Sequence, residues 1–482
     1  EKRGITLDGT RLLAREKVKH VHFIGIGGIG LSAIARVLHE DGYRISGSDM
    51  QQTALTAELA TLGMEIYHGH RPEHVAGADL VVVSSAVPEG NVELVAAREA
   101  GIPVVKRAEL LGEMMAGRFG IAVAGTHGKT TTTAFISFLL TRMGLDPTFI
   151  VGGILEDLGT NARRGMGPHF VIEADEYDYM FLGLRPRLSV VTVIEMDHPD
   201  CFADIEDMTQ AFYQFMCLLP DGGTLIGCAD QPRVVQLLQR VGQERAIDLI
   251  TYGQREGAWQ AQEIHSNQLG GSDFDVLHGG QVVGRASLCL PGLHNVSNAL
   301  AVLAVMDRLG LDIDKVLQWL PQFRGVRRRF EIKGEAKDII VIDDYAHHPT
   351  EIRATLAAAR RRFGNRRLWV FFQPHTYSRT KALLEEFAAS FGDADHVLIS
   401  EIYAARETNS LGTSARDLVQ LMHHPDVRYV PTLHEASAYL QTVLQPGDVL
   451  LTLGAGDGYL VGETILRMLS ENEREKQWDL RN

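Results

Sequence analysis

Cysteine is scarce. The chain of 482 residues has four, Cys201, Cys217, Cys228 and Cys289, and no pair has C-x-x-C spacing. Reduced thiols in a cytosolic protein are the simplest account, which leaves no disulfide framework to organise the fold. Long apolar runs are absent too. None approaches the roughly 20 residues a membrane span needs, so no membrane association is expected. The first residues are polar and lack a signal-peptide core, so a cytoplasmic protein is expected. Positive charge is in deficit: 47 Lys and Arg against 61 Asp and Glu leave a formal charge of −14. That argues against nucleic acid as the main partner but not against nucleotides, for which local positive sites suffice. What remains is ordinary for a soluble protein, with 45% hydrophobic and 22% charged residues. The length suggests roughly three domains of about 150 residues, each able to bury a core.

The chain is organised around Ile121–Leu140, IAVAGTHGKTTTTAFISFLL. A short apolar strand, Ile121–Ala124, runs into Gly125-Thr126-His127-Gly128-Lys129-Thr130, and apolar residues then recur at helical spacing. Strand, glycine loop and helix hold nucleotide phosphates on backbone N–H groups and on the helix N-terminus. Lys129 would reach the β- and γ-phosphates and the Thr130 hydroxyl would sit on Mg²⁺. Val123 stands where the usual loop has its first glycine, so this is a shortened variant. The plainer alternative is a glycine turn entering an ordinary helix.

Before it, a polar segment (1–17) reads as a tail or short helix. Val18–Ile26 reads as a buried strand leading into Gly25-Ile26-Gly27-Gly28-Ile29-Gly30 and a helix to about Glu40. A second strand, Tyr43–Gly47, ends at Ser48-Asp49, which places an acid 24 residues after the first glycine. This is the fingerprint of a dinucleotide-binding βαβ unit. It brings a hydride-transfer enzyme into consideration, although the geometry serves any pyrophosphate. Further strands at Asp79–Ser84 and Ile102–Lys106 complete one doubly wound unit over 1–112. Its ligand would lie near Gly27, Gly28, Ile29, Gly30, Asp49, Ser84, Ser85 and Ala86. Asp49 could equally be a solvated strand-end acid.

After the phosphate loop, strand His169–Ile172 ends in Glu173-Ala174-Asp175-Glu176-Tyr177-Asp178. A carboxylate there commonly holds Mg²⁺, with Glu173 the first candidate; a solvated acidic turn is the alternative. Strand Leu188–Ile194 ends in Glu195-Met196-Asp197-His198, where His198 is either a ligand or a structural hydrogen-bonder. Asn295 and Asn298 share a face of a helix that ends near Leu309, to bind a base or to cap that helix. Phe323–Phe330 reads as a linker or hinge with four arginines, either a solvated charge run or the sign of an anion nearby. A new α/β unit begins at Asp338. Its strands end in Asp343–Thr350, Gln373–Thr380, Glu401–Tyr403 and Gly454–Asp457, the polar clusters that mark ligand sites of open α/β sheets.

Taken together, GTHGKTTT (Gly125–Thr132), EADEYD (Glu173–Asp178), EMDH (Glu195–His198), HNVSN (His294–Asn298), DDYAHHPT (Asp343–Thr350) and QPHTYSRT (Gln373–Thr380) resemble the Mur ligase family, in order and over nearly the whole chain. The resemblance implies three α/β domains: a Rossmann-like one binding UDP-N-acetylmuramate (1–112), a central P-loop ATPase-like one with a parallel or mixed sheet (113–324), and a Rossmann-like one binding the amino acid (325–482). GIGGIG, GSDM, VVVSSAV and RAELL at the front are similar to the branch that uses UDP-N-acetylmuramate and L-alanine; a branch that recycles murein tripeptide shares the later motifs. The implied reaction is amide formation through an acyl phosphate, in the synthesis of peptidoglycan precursors.

The resemblance also implies roles. The UDP-sugar pyrophosphate would sit on Gly27–Gly30. ATP would be held by Gly125–Thr131, including Thr131, with His294 and Asn295 at adenine, Asp344 at ribose, and Arg327 or a neighbour at the phosphates. Thr130 and Glu173 would hold one Mg²⁺, and His198 would help hold a second. Lys129, His198, His348 and Arg379 would be catalytic. His347, His348 and Arg379 would surround the alanine, Arg379 pairing with its carboxylate and His348 taking its proton. Val193 replaces an asparagine usual in the family and cannot supply its amide. Competing readings are a nicotinamide-dependent oxidoreductase built on the first glycine loop, a UDP-sugar sensor without turnover, and the tripeptide ligase. The expected assembly is a monomer or a homodimer.

Overall fold

The computed structural model describes residues 12–14 and 16–479, with 472–479 described by backbone alone. Of the polar segment 1–17, residues 1–11 and 15 lie outside the described residues. Three sheets follow one another along the chain.

The first contains β1 (His20–Ile24), β2 (Arg44–Asp49), β3 (Glu65–His68), β4 (Leu80–Val83) and β5 (Val104–Lys106), all parallel, in the order β3-β2-β1-β4-β5. Helices cover both faces, so the inner strands read as continuous apolar runs. Val21, Phe23, Leu80 and Val82 are fully buried. The order reverses between β1 and β4. At that switch point the chain leaves β1 through the first glycine loop into the helix Ile29–Glu40.

The second sheet has ten strands: β6 (Phe119–Ala124), β7 (Thr148–Leu155), β8 (Thr160–Arg163), β9 (His169–Glu173), β10 (Leu188–Val191), β11 (Thr224–Cys228), β12 (Asp248–Gly253), β13 (Trp259–Ser266), β14 (Ser272–His278) and β15 (Gln281–Ser287). Their order is β15-β14-β13-β12-β11-β10-β6-β9-β7-β8. It is parallel from β13 to β7, with antiparallel pairs at the two margins. Strand β6 lies between β10 and β9, so the segments following all three strands converge on the phosphate loop. Helices Lys129–Arg142 and Leu293–Arg308 share one core through Phe135, Phe138, Leu139, Val296, Leu300 and Leu303.

The third sheet contains β16 (Glu331–Ala336), β17 (Ile339–Asp344), β18 (Leu368–Phe372), β19 (His396–Ile399), β20 (Val427–Tyr429) and β21 (Val449–Leu453), ordered β16-β17-β21-β18-β19-β20. Only β16 is antiparallel to its neighbour. It occupies residues between the expected hinge, Phe323–Phe330, and the α/β unit expected to start at Asp338, to which the sequence reading assigns no strand. Strands β3, β8 and β20 were not expected either. All four are edge strands of mixed polarity, paired on one side only, so no continuous apolar run announces them. Among the described residues, no helix is long and apolar enough to cross a membrane.

Candidate active site

The phosphate loop is shaped by two glycines. Gly128 has φ +81° and directly precedes the helix Lys129–Arg142, with no side chain capping its first turn. A Cβ at Gly125 would lie 2.0 Å from Thr192 Oγ1. The first-turn N–H groups of this helix are therefore not claimed by a capping side chain. Lys129 curls back over the loop. Its Nζ donates to Gly125 O at 2.5 Å, Thr126 O at 3.3 Å and Glu176 Oε1 at 2.8 Å. Burial works against the ammonium, but the carboxylates of Glu176, Glu173 and Asp175 outweigh it and raise the Lys129 pKa. Glu176 is fully buried and was indistinguishable in the sequence from its acidic neighbours.

Glu173 closes β9 opposite Val123 of β6. It accepts from Thr130 Oγ1 at 2.9 Å and from Gly152 N at 2.7 Å. Thr130 and Glu173 thus form a pair of hard oxygen donors beside the loop, a donor set suited to Mg²⁺.

The segment after β10 carries His198, at φ +53°. Its Nε2 lies 3.8 Å from Glu176 Oε1, and its Nδ1 lies 3.4 Å from Arg379 Nη2. Arg379 is engaged inside the protein. Its Nε donates to Asp197 Oδ1 at 2.7 Å and its Nη1 to His375 O at 2.9 Å. Both charges are buried, and removing either would strand the other. Burial alone would raise the Asp197 pKa, but Arg379 and nearby histidines hold it well below the usual carboxylate range. The arginine expected to meet an amino-acid carboxylate is therefore already paired, and could offer a ligand only part of its fork.

His348 is the N-cap of the helix Pro349–Phe363. Its Nδ1 accepts from Thr350 N at 3.2 Å, so Nε2 carries the hydrogen and donates to Met196 O at 3.1 Å. Neither nitrogen has an open lone pair in this arrangement, so service as a base would first require one of these bonds, to Met196 O or from Thr350 N, to open. His347 differs: Nδ1–H donates to Tyr345 O at 2.9 Å, which leaves the lone pair on Nε2. Burial lowers its pKa to about 3, so it stays neutral.

A cavity of about 320 Å³ opens between the phosphate loop and the third sheet. Thr130, Val193, His294, Asn295, Arg329 and Asp344 are among its walls. Burial lowers His294 to about 4, keeping it uncharged. Asn295 donates to Pro291 O at 2.7 Å and accepts from Asn298 at 3.1 Å; the helix cap itself is Gly292. Asp344 accepts from Ala346 N at 2.8 Å and Phe330 N at 2.9 Å, and burial raises its pKa to about 6. Among the hinge arginines, Arg327 turns outward to Glu156 at 3.2 Å, and Arg328 pairs with Asp343 at 3.0 Å. Arg329 is the one that faces the cavity, because Arg328, at φ +61°, redirects the chain. The expectation of Arg327 or a neighbour at the phosphates leaves the choice among the three open, and Arg329 is the neighbour placed to fill that role.

Three family models cover this architecture in order: the Mur ligase family catalytic domain over residues 20–119, the Mur ligase middle domain over 123–306 and the Mur ligase glutamate ligase domain over 328–456. The chain belongs to the Mur ligase family. It is 44% identical over 463 residues to the UDP-N-acetylmuramate–L-alanine ligase of Caldanaerobacter subterraneus subsp. tengcongensis, covering 95% of this chain and 99% of that one. It is 45% identical over 457 residues to the ligase of that name from Geobacter sp., covering 94% and 98%. Among solved structures, the UDP-N-acetylmuramate–alanine ligase of Thermotoga maritima matches with a TM-score of 0.78 at 31% identity, over 94% of this chain and 99% of that one. A murein peptide ligase from Psychrobacter arcticus matches with 0.72 at 26% identity, over 94% and 98%.

In this Mur ligase the first glycine loop faces the same region. Asp49 Oδ2 accepts from Gly27 N at 2.8 Å, so the strand-end acid steadies the loop. Ser84 Oγ accepts from Ala86 N at 3.3 Å, while Ser85 and Ala86 are exposed. Arg107, which sequence reasoning passed over within RAELL, lies against Gly30 and donates to Asp175 at 2.9 Å. A second cavity, of about 100 Å³, is lined by Ile29, Gly30, Arg107, Gly152 and Glu173. It joins the first glycine loop to the Thr130–Glu173 pair.

Proposed function

We propose that this Mur ligase joins L-alanine to the lactyl carboxylate of UDP-N-acetylmuramate, with ATP converted to ADP and phosphate, in peptidoglycan precursor synthesis. The observation that carries the reading is the near full-length likeness to ligases of that name, together with two cavities, one lined by Thr130 and the other by Glu173, whose side chains are hydrogen-bonded to each other. The UDP-sugar would lie on Gly27–Gly30, with Arg107 over its pyrophosphate and its lactyl end pointing through the smaller cavity. ATP would fill the larger cavity, its phosphates on Gly125–Thr131 and near Arg329, its base near His294 and Asn295, and its ribose at Asp344.

Two anions, carboxylate and γ-phosphate, must meet in the first step, so charge neutralisation dominates catalysis. Lys129 is held protonated for that purpose. The carboxylate oxygen attacks phosphorus, ADP leaves, and an acyl phosphate results. The alanine amine then attacks the acyl carbon, loses a proton, and phosphate leaves with the C–O bond pair. His347 Nε2, the open lone pair, would accept a hydrogen bond from that amine and orient it, and with the His347 pKa held down to about 3 the proton passes on to the departing phosphate. Thr130 and Glu173 would hold Mg²⁺, and His198 would help hold a second ion; bound metal would neutralise phosphate oxygens. Use of ATP and a UDP-sugar supports a cytoplasmic setting. The glycine fingerprint then binds a nucleotide without hydride chemistry.

The test is phosphate release with ATP, Mg²⁺ and UDP-N-acetylmuramate, with L-alanine present or omitted, and mass analysis of the product. Release that needs both substrates, with the alanyl conjugate formed, is expected. Release with murein tripeptide but not with L-alanine would transfer the reading to the recycling branch.

A further inference from the structure

A row of alternating charges crosses from the phosphate loop to the C-terminal domain. His127, in the loop, stands between two carboxylates: Nε2 is 3.2 Å from Glu195 Oε2, and Nδ1 is 3.4 Å from Glu351 Oε1. Glu195 follows β10 of the central sheet, whereas Glu351 is on the C-terminal helix Pro349–Phe363. Glu195 Oε2 also accepts from Thr350 Oγ1 of that helix, at 2.7 Å. Glu351 reaches back to accept from His347 N at 3.1 Å, and its Oε1 lies 3.4 Å from Arg329 Nη1. One carboxylate therefore touches the phosphate loop, the hinge and the backbone just before the His348 cap. Neither acid has a part in the phosphoryl and acyl chemistry described above.

The order Glu195, His127, Glu351, Arg329 alternates in sign. In a site this enclosed, each cation depends on its flanking carboxylates, and the row holds only as a unit. The contacts to Thr350 and His347 tie that unit to the turn carrying both histidines.

We propose that Glu195 and Glu351 are positioning residues: through an imidazolium at His127 they clasp the C-terminal domain to the phosphate loop, and so set His347 over the acyl end when L-alanine binds. This rests on the ligase reading. It predicts a particular kinetic split. Glu351→Gln keeps the shape and the bond from His347 N but removes the charge facing His127 and Arg329. Both cations are then left to the ATP phosphates.

For Glu351→Gln, the KM for L-alanine is expected to rise about tenfold or more, in line with the loss of charge-assisted contacts, while the KM for ATP stays level or falls. Small-angle scattering with a non-hydrolysable ATP analogue and UDP-N-acetylmuramate should show a more compact wild type than variant. Glu195→Gln should shift both readouts in the same direction, and it carries the test if Glu351→Gln does not fold. An unchanged alanine KM with wild-type compaction would overturn the clasp. So would equal rises in both KM values, which mark general damage to the cavity. If the wild type turns over no L-alanine, the ligase reading fails, while the scattering comparison still judges the clasp.

Discussion

Gly25–Gly30 and Gly125–Thr130 both follow a buried parallel strand and both lead into a helix, yet only the second carries ionisable side chains. Around the first, the charges are borrowed: Asp49 steadies Gly27 from the next strand, and Arg107 leans on Gly30 from a helix further along. Around the second, the loop supplies both cations itself: Lys129, held by Glu176, and His127, bracketed by Glu195 and Glu351. The same backbone device, a glycine loop opening a helix, is suited to phosphates in both places. Holding an anion that stays intact needs backbone N–H groups and one guanidinium. Stabilising a phosphoryl group in transfer needs an ammonium fixed in place beforehand, and Glu176 supplies that fixing.

If that contrast is right, the loops should fail in different ways. Lys129→Ala should lower phosphate release about a thousandfold or more, since positioned charge supplies most of phosphoryl-transfer catalysis. Calorimetry should find UDP-N-acetylmuramate binding almost unchanged. Pairing the change with Glu176→Gln avoids leaving a buried acid without its cation. Near-normal turnover in either form would remove Lys129 from the mechanism. Arg107→Ala should do the reverse, raising the KM for the UDP-sugar about tenfold, as expected for a charge-assisted contact, with little change in kcat. A matching rise in the ATP KM would mean that the two loops are not separable.

A third test uses pH. Burial disfavours charge on His127, but Glu195 and Glu351 outweigh it and raise its pKa to about 9. The flanking Glu195 is depressed to about 2 and Glu351 well below its usual range, and the His348 ring lies 4.6 Å away. A histidine raised in the folded state stabilises that state fully below its ordinary value of 6.5 and loses the contribution as pH rises through about 9. Closure measured by scattering should therefore weaken across that alkaline window. The first loop has no such group, and UDP-sugar binding should remain level there. Closure that persists well above pH 9 would show that the imidazolium is dispensable.

Much of this contrast is legible without coordinates. Ile121–Ala124 and Leu368–Phe372 are buried on both faces, and so appear as unbroken apolar runs ending abruptly in polar clusters. Those ends are where an open α/β sheet puts its ligands, which is why Lys129, Thr130, Glu173 and His198 could be singled out. Edge strands such as Thr160–Arg163 left no such trace. Nor did the pairings that cross between domains, because nothing local to Arg379 or Asp197 encodes that they meet. The hinge arginines show the same limit at short range. Three consecutive identical side chains differ only in where a positive-φ turn sends them, and that turn is visible only in the fold.

Val193 offers the smallest and most pointed test of the nucleotide side. Its backbone oxygen accepts from Thr126 N at 2.8 Å, so the main chain at this position supports the phosphate loop whatever the side chain is. The side chain itself lies in the cavity wall, half-buried. Val193→Asn would restore an amide without disturbing that backbone bond. A single neutral hydrogen bond contributes about 1 kcal/mol, so the KM for ATP should fall no more than roughly fivefold. A gain in kcat far beyond that would mean that valine had disabled a working site, the condition expected of a UDP-sugar sensor. A small effect confined to ATP would mean that the phosphate loop, anchored through the backbone of 193, never depended on its side chain.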